Sequence, residues 1–238
     1  MHRVAIVQCR MTSTRLPGKV LADLGGKPLL ERQLERLARC RRLDEIVLAT
    51  TVNAADDPLV ALGARLGIGV HRGSEHDVLR RYAEAAARFR ADVVVRITSD
   101  CPLLDPVLTD AVVDALDAGA DYASNALEPG LPRGLDAEAL WRDVLDRVDR
   151  MATSAPAREH VTWHVHAEHP ERFVLRSVPP PFAAGDLRLT VDTPEDLALV
   201  RRLDDELGPA AGAAELVAWL RAHPEVAALN AATQQKPY

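Results

Sequence analysis

The chain has 238 residues, of which 47% are hydrophobic, so its length and composition predict one folded domain with a full core. A formal net charge of −6 argues against a nucleic-acid-binding protein, which would normally be basic. No apolar run approaches the roughly 18 residues of a membrane span. The apolar stretch between Arg3 and Arg10 is too short for a signal peptide, and three dispersed cysteines without a CxxC pair indicate reduced thiols in a cytoplasmic protein.

Strands and helices alternate along the first half of the chain. Runs of β-branched and apolar residues predict strands over 4–7, 45–51, 69–72 and 92–98. Periodicity and cap signals predict a helix over 28–40 and further helices that begin near Asp57-Pro58, after the segment 74–77 and at Asp105-Pro106. This alternation predicts an α/β fold with a mostly parallel sheet and helices on both faces.

The pattern becomes less regular between residues 130 and 186. We expect a helix over 138–151, a His-rich helix near His160 and an irregular triple-proline segment at 179–181. We interpret 130–186 as an insertion or lobe of a single domain spanning 1–238, which covers the site and builds a homodimer. A strand over 187–191 and a helix from Thr193-Pro194 follow, and we expect 231–238 to be a disordered tail.

The first strand leads into a loop rich in cations and hydroxyl groups. The loop carries Arg10, Arg15 and Lys19, three hydroxyl residues at 12–14, and a Pro17-Gly18 turn. Open α/β folds bind ligands at the carboxyl edge of the sheet, so three fixed charges there predict a polyanion such as a triphosphate. The loop has neither the GxxxxGK[ST] nor the GxGxxG spacing, and a solvated loop remains the alternative.

Two aspartates follow predicted strands. Asp100 comes after the strand at 92–98, and Asp192 comes after the segment at 187–191. We expect both carboxylates near the cationic loop, where two carboxylates and phosphate oxygens would form a Mg²⁺ site. The alternative is that each aspartate caps the next helix.

Seven motifs in order resemble those of the cytidylyltransferases that make CMP-activated acidic sugars, including the 3-deoxy-manno-octulosonate and acylneuraminate enzymes. The similarity is greatest to the spore coat polysaccharide biosynthesis branch of that superfamily. The opening motif is IVQCRMTSTRLPGKVLADLGGKPLLER. The later motifs are ATTVNAADDP at 49–58, HRGSEHDVLRRY at 71–82, RITSDCPLLDP at 96–106, LPRGLDAEAL at 131–140, REHVT at 158–162 and RLTVDTPEDL at 188–197.

The resemblance implies a nucleotidyltransferase fold related to the GT-A glycosyltransferases, and it implies roles for residues that match the family's motifs. The implied nucleotide-binding residues are Arg10, Met11, Arg15, Lys19, Arg72, Gly73, Ser74, Asp77 and Asp100. The implied catalytic residues are Arg10, Lys19, Asp100 and Asp192, with Asp100 and Asp192 as Mg²⁺ ligands. The implied acceptor-binding residues are Arg133, Asp136, Glu138, Glu159 and His160.

The function implied is CTP-dependent transfer of CMP to an acidic sugar, or to a related acid or phosphonate, with release of pyrophosphate. Alternatives are a GT-A glycosyltransferase, a nucleotidyltransferase that uses another NTP, and a non-catalytic scaffold. A glycosyltransferase would be expected to carry a DxD motif, and the segment around Asp100 lacks the first Asp. A structural zinc ion held by His160 and His164, four residues apart, is a further alternative.

Three positions depart from the family pattern. This branch commonly has Ala at Cys9 and Gly at both Thr12 and Ser99. The last two substitutions add side chains where the backbone of the family approaches a ligand closely. They bear on base preference, which the sequence assigns to cytosine through the resemblance alone.

Overall fold

The computed structural model describes residues 1–233, which fold around a seven-stranded mixed sheet. The strands are β1 (Arg3–Gln8), β2 (Asp23–Leu24), β3 (Lys27–Pro28), β4 (Glu45–Thr51), β5 (Gly69–Gly73), β6 (Val93–Thr98), β7 (Tyr122–Ser124), β8 (Glu138–Trp141) and β9 (Leu175–Ser177). The order across the sheet is β5-β4-β1-β6-β8-β7-β9, and β2 pairs with β3 outside it.

Helices connect the strands and follow the last of them. They are α1 (Leu29–Leu37), α2 (Asp57–Leu66), α3 (Val78–Arg88), α4 (Pro106–Asp117), α5 (Arg142–Met151), α6 (Ala155–His160), α7 (Pro194–Leu207), α8 (Ala213–Ala222) and α9 (Pro224–Ala227). Short 3₁₀ turns include Lys19–Leu21 and Ala228–Asn230, and His164–Glu168 forms a π-helix. Within residues 1–233, no helix is long and apolar enough to cross a membrane.

Strand β1 is the point where the strand order of the sheet reverses, because β4 and β5 are added on one side of it and β6 on the other. It pairs in parallel with β4 on one side and with β6 on the other, and Gln8 lies opposite Thr98. Just beyond these ends, the Ser99 amide donates to the Gln8 carbonyl over 3.1 Å. A crevice opens at such a reversal, next to the carboxyl ends of the strands. The loop after β1 therefore lies where a ligand would bind.

The core occupies both faces of the sheet, which confirms the predicted α/β class. Alternate residues of β1 point to opposite faces, so Val4 and Ile6 pack with Tyr82 of α3, whereas Ala5 and Val7 join a second cluster. That second cluster contains apolar residues of α1, α2 and α4. A third cluster joins α7 and α8 to the loops beside the sheet.

Two predicted elements differ in the structure. The predicted helix over 138–151 is a strand followed by a helix, because β8 pairs antiparallel with both β6 and β7 and buries Ala139 and Leu140. The predicted strand over 187–191 lies outside the sheet and makes one isolated bridge, between Arg133 and Arg188. Its apolar side chains, such as Leu189, pack in the third cluster instead. Tertiary burial rather than local propensity decides both segments.

The segment 130–186, interpreted as an inserted lobe, supplies β8 and β9 to the central sheet. Its α6 and π-helix cover the carboxyl edge of the sheet, where His160 and His166 line cavities. The homodimer expected from this segment remains a prediction. Residues 231–233 follow the last 3₁₀ turn, and 234–238, the rest of the predicted disordered tail, lie outside the described residues.

Candidate active site

Two adjoining cavities lie over the carboxyl ends of β1 and β6. The loop cavity, about 610 Å³ in volume, contacts the cationic loop, α3 and α6. The sheet cavity, about 450 Å³, lies over β6, β7 and β8. Both cavities are lined by Gln8, Thr98, Asp100, His160 and Asp192, so these residues mark the junction between them.

Lys19 lies at the junction between the two predicted carboxylates. Gly18 adopts a left-handed conformation with φ of 71°, and the 3₁₀ turn that follows directs the buried Lys19 inward. The Lys19 Nζ donates to Asp192 Oδ1 over 2.8 Å and lies 3.6 Å from Asp100 Oδ2. Arg15 forms an ion pair with Asp192 Oδ2 at 2.9 Å. The structure thus brings Arg15, Lys19, Asp100 and Asp192 together.

A buried ion network holds Asp192 in place. Arg188 donates to Asp192 Oδ2 over 2.7 Å and to Asp196 Oδ1 over 2.8 Å. Burial disfavours the charged form of Asp192, but the positive charges of Lys19 and Arg15 outweigh it and hold the pKa of the carboxyl below its usual value. Asp192 is therefore ionised at neutral pH.

Neither aspartate caps the helix that follows it, so the capping alternative is wrong. Asp105 caps α4 by accepting from the backbone amides of Val107 and Leu108. Thr193 and Asp196 form a reciprocal capping box at the start of α7. The carboxylates of Asp100 and Asp192 instead face the cavities.

The carboxylates at the junction fit a hard divalent cation. The Asp100 side chain is 28% exposed, and its carboxylate is contacted by the Lys19 ammonium and by the Cys101 thiol at 3.5 Å. Lys19 donates to Asp192 Oδ1, and Arg15 and Arg188 both contact Oδ2, so a metal ion at Asp192 would have to displace at least one of these cations. Carboxylate oxygens are the donors that Mg²⁺ uses, together with phosphate oxygens and water.

The outer part of the cationic loop is tied to neighbouring loops. Arg10, with a side chain 45% exposed, lies 3.4 Å from Glu75 Oε1, and the Thr12 hydroxyl donates to the same oxygen over 3.0 Å. The Met11 amide donates to Asp56 Oδ1 over 2.7 Å. Burial raises the pKa of Asp56, but hydrogen bonds from the Thr51 side chain and the Met11 backbone more than compensate and lower it. Asp56 thus fixes the loop backbone.

The predicted nucleotide-binding residues between 72 and 77 do not line either cavity. Arg72 donates to the carbonyls of Thr51 and Asn53 and pairs with Asp57 at 2.7 Å. Gly73 lies under α3, and the Ser74 hydroxyl accepts from the Asp77 amide.

Asp77 has two structural contacts instead. Its carboxylate caps α3 by accepting from the Arg80 amide over 2.9 Å. It also pairs with Arg158 of α6, with Oδ2 at 2.6 Å from Nη2.

Four of the five predicted acceptor residues line the sheet cavity. These are Arg133, Asp136, Glu138 and His160, whereas the exposed Glu159 lines the loop cavity. Burial, together with the nearby charge of Glu138, raises the pKa of Asp136 to about 6.

Glu138 is held by a polar network within that cavity. It pairs with Arg96 and accepts from the hydroxyls of Thr162 and Tyr122, the latter over 2.9 Å. Burial opposes ionisation of Glu138, but the charge of Arg96 prevails and lowers its pKa.

His160 and His164 do not share a helix face, so the zinc alternative based on that spacing is wrong. Helix α6 ends at His160 because Val161 has a φ of 56° and ψ of −62°. His164 lies in the π-helix and pairs with Glu168 at 2.9 Å. Burial lowers the pKa of His160, which favours its neutral form.

Several polar side chains that line these cavities were missed from the sequence, namely Gln8, Arg81, Arg96 and Tyr122. Arg188 was missed as well; it lines neither cavity but holds Asp192. A signal exists for two of them. Arg81 occurs on the buried face of α3, three residues after Val78, and Arg188 precedes Asp192 by four residues.

Comparison with known proteins gives a consistent result. Residues 4–218 match the family model described as cytidylyltransferase. The chain is 35% identical to the spore coat polysaccharide biosynthesis protein SpsF of Bacillus subtilis, over 93% of this chain and 95% of that protein. It is also 35% identical to a 3-deoxy-manno-octulosonate cytidylyltransferase of Geobacter sulfurreducens, over 49% of this chain and 46% of that enzyme.

A solved structure agrees over the full length. A cytidylyltransferase from Leptospira borgpetersenii superposes with a TM-score of 0.91 at 29% identity, covering 100% of this chain and 99% of that one. This agreement confirms the predicted nucleotidyltransferase fold. Because the family model spans most of the sequence, the chain belongs to the cytidylyltransferase family of nucleotidyltransferases.

Proposed function

We propose that the protein transfers CMP from CTP to an acidic sugar, or to a related acid or phosphonate, and releases pyrophosphate. The observation that carries this proposal is the position of Lys19 between Asp100 and Asp192, where two polar cavities meet. The loop cavity suits a nucleoside triphosphate, and the sheet cavity suits a small polar acceptor. The names of SpsF and of the octulosonate enzyme support a product used for a surface polysaccharide or a specialised metabolite.

The cations of the loop would bind the phosphate chain. In the structure, Arg15 and Lys19 form ion pairs with Asp192, and Arg10 faces Glu75. Phosphate oxygens compete for these donors, since charge-assisted hydrogen bonds to Arg and Lys are the strong contacts of such sites. With the β- and γ-phosphates held, an acceptor oxygen would attack the α-phosphorus in line, the bond from that phosphorus to the oxygen of the β-phosphate would break, and pyrophosphate would leave. No protein nucleophile is needed, because positioning and electrostatic stabilisation carry this kind of transfer.

Asp100 and Asp192 would hold Mg²⁺, and the bound ion would neutralise negative charge and lower the pKa of the attacking group. Replacing Asp100 by Asn is therefore expected to reduce turnover by at least about a hundredfold. Asp114→Asn is the matched control, because Asp114 is exposed on α4 and lines neither cavity. Near-normal turnover of the Asp100→Asn enzyme at saturating Mg²⁺ would contradict the assignment.

The acceptor would bind in the sheet cavity. Arg133 is exposed there and offers the planar fork that suits a carboxylate, phosphate or phosphonate. Asp136 and His160 line the same cavity and could accept hydrogen bonds from hydroxyl groups of a sugar. Recognition of the acceptor's negative charge is thus assigned to one side chain, Arg133.

We also propose that the protein is a cytoplasmic homodimer. Sedimentation at several protein concentrations would test the dimer.

The decisive experiment measures pyrophosphate release with Mg²⁺ and each of CTP, UTP, GTP, ATP and dTTP, against a panel of acidic sugars and phosphonates. We expect release with CTP and one class of acceptor. No release from any pair, together with no CTP binding by calorimetry, would contradict the proposal. CTP binding without pyrophosphate release would support the nucleotide-binding part of the proposal and direct the search to other acceptors.

A further inference from the structure

Arg81 is a buried cation with no carboxylate partner among residues 1–233. The residue is 2% exposed, and its Nη1 donates to the Ser74 carbonyl, the one hydrogen bond of its guanidinium within that range. Its Nε is buried without a partner. The nearby carboxylate of Asp56 already accepts from Thr50, Thr51 and the Met11 amide.

A buried guanidinium without enough acceptors lowers the stability of the protein when no ligand is bound. Buried charges are normally paired, and an unpaired donor loses its hydration without compensation. Burial indeed lowers the pKa of Arg81. A cost of this kind is offset when a ligand supplies the missing acceptors. Arg81 lines the loop cavity, so a ligand in that cavity can reach it.

The place of Arg81 in the fold indicates which part of a nucleotide it would meet. Lys19 and Asp100 lie on the β6 side of β1, where the phosphates would bind. The Arg81 side chain lies on the β5 side, because its Cγ is next to Gly73 at the end of β5 and its Nη1 donates to the Ser74 carbonyl. The base and the triphosphate occupy opposite ends of a nucleotide, so the base would lie towards α3.

The wall of the cavity near Arg81 suits a flat ring. Cys9 and Val78 are small or apolar, buried, and line the cavity with it. Burial raises the pKa of Cys9 to about 12, so its thiol is neutral and unreactive. The absence of a side chain at Gly73 leaves room for the Arg81 side chain, because a Cβ there would lie 3.0 Å from Arg81 Cγ and 3.2 Å from His71 Nε2.

Building on the proposed function, we propose that Arg81 recognises the nucleobase and selects cytosine over uracil. Cytosine presents two adjacent acceptors, O2 and N3, that match the parallel N–H donors of a guanidinium. Uracil carries a hydrogen on N3, which would face the donors of Arg81. A site built on such hydrogen bonds rejects an analogue that lacks the acceptor, because its buried donors are left unpaired.

Calorimetric binding of CTP, UTP and inorganic triphosphate to the full chain tests this proposal. We expect Arg81→Gln to weaken CTP binding at least about tenfold and to bring the affinities for CTP and UTP within about threefold of each other. Binding of inorganic triphosphate should stay within about twofold of the wild type, since it meets only the loop cations. Arg80→Gln is the matched control, because Arg80 is exposed and pairs with Glu84 and Asp149.

Three results would overturn the proposal. An equal loss of affinity for CTP and inorganic triphosphate would make Arg81 a phosphate ligand. Unchanged nucleotide binding would leave it a packing residue. If Arg81→Gln does not fold, Arg81→Lys decides, because it keeps the charge but loses the fork; a wild-type ratio of CTP to UTP affinity in that variant would overturn the proposal. Failure of the wild-type protein to bind CTP would instead contradict the proposed function itself.

Discussion

At the scale of single residues, the two carboxylates where the cavities meet are already paired with cations of the chain. Asp192 accepts from Lys19, Arg15 and Arg188, and its pKa is lowered accordingly. The cations that we propose as phosphate ligands thus keep Asp192, the proposed metal ligand, ionised. On that proposal, binding of a nucleotide with its metal would exchange one set of ion pairs for another.

The carboxylate of Asp136 is not stabilised by cations in this way, so its ionisation is predicted to lower the stability of the fold as pH rises. Its folded pKa of about 6 lies above the ordinary value of 3.8 because of burial and the charge of Glu138. The folded protein therefore binds more protons than the unfolded chain between these values, and stability falls as pH rises through this window. We expect Asp136→Asn to raise the free energy of unfolding at pH 8, by on the order of 2 kcal/mol, and to have little effect below pH 4.

Thermal and urea unfolding in EDTA, without nucleotide, would measure this effect. Asp114→Asn controls for the loss of one negative charge, since Asp114 is exposed on α4. An equal change at pH 4 and pH 8 for Asp136→Asn would contradict the prediction.

The sequence alone predicts the location of those site residues that come directly after a strand, because the end of the strand fixes where they lie. Arg15, Lys19 and Asp100 follow strands that end at one edge of the sheet, so their proximity could be predicted. Arg72 shows the limit of this reasoning, because it also lies in a strand next to the cleft yet turns to the carbonyls of Thr51 and Asn53. The direction of a long side chain depends on neighbours that local patterns do not specify.

At the scale of elements, the cap residues predict where helices begin, whereas tertiary burial decides the structure of segments whose local pattern predicts something else. Asp105-Pro106 and Thr193-Pro194 begin α4 and α7 as predicted. The four residues of β8 carry good helix formers at Glu138, Ala139 and Leu140, but they fill the position between β6 and β7. The antiparallel pairing of β8 with β6 and β7 cannot be seen in a short sequence window, because it depends on distant strands.

Asp77 combines a cap and a link between elements, and the two contributions can be separated. Asp77→Asn keeps an N-cap acceptor for α3 but loses the ion pair with Arg158 of α6. We expect it to cost less than about 1 kcal/mol in the free energy of unfolding, because the pair is partly exposed. Asp77→Ala removes both contacts and should cost roughly 1 kcal/mol more.

Urea unfolding of both variants would measure the difference, with Asp205→Asn, on the exposed face of α7, as the control for the loss of one negative charge. Equal destabilisation by Asn and Ala would show that the cap contributes nothing. A large loss of CTP affinity in Asp77→Asn would return this residue to the nucleotide-binding role implied by the family motif.

At the scale of the whole molecule, the end of the described chain is tied to the candidate site. Asn230 is buried in the last 3₁₀ turn, and its amide donates to the Arg188 carbonyl over 3.1 Å and to Asp196 Oδ1 over 2.8 Å. Asp196 in turn accepts from Arg188, which holds Asp192. A segment remote in sequence from the cationic loop therefore supports the carboxylate that Lys19 contacts.

Asn230→Ala should accordingly weaken both the fold and nucleotide binding. Removing the amide leaves a buried carbonyl and a buried carboxylate oxygen with one donor fewer, at a cost of about 1–3 kcal/mol in the free energy of unfolding. Leu229→Ala is the matched control, because Leu229 lies in the same turn and is 46% exposed. Urea unfolding and CTP calorimetry separate two cases. If Asn230→Ala lowers stability while CTP affinity stays at the wild-type value, Asn230 anchors the chain end alone; if both fall, the network through Arg188 transmits its position to Asp192.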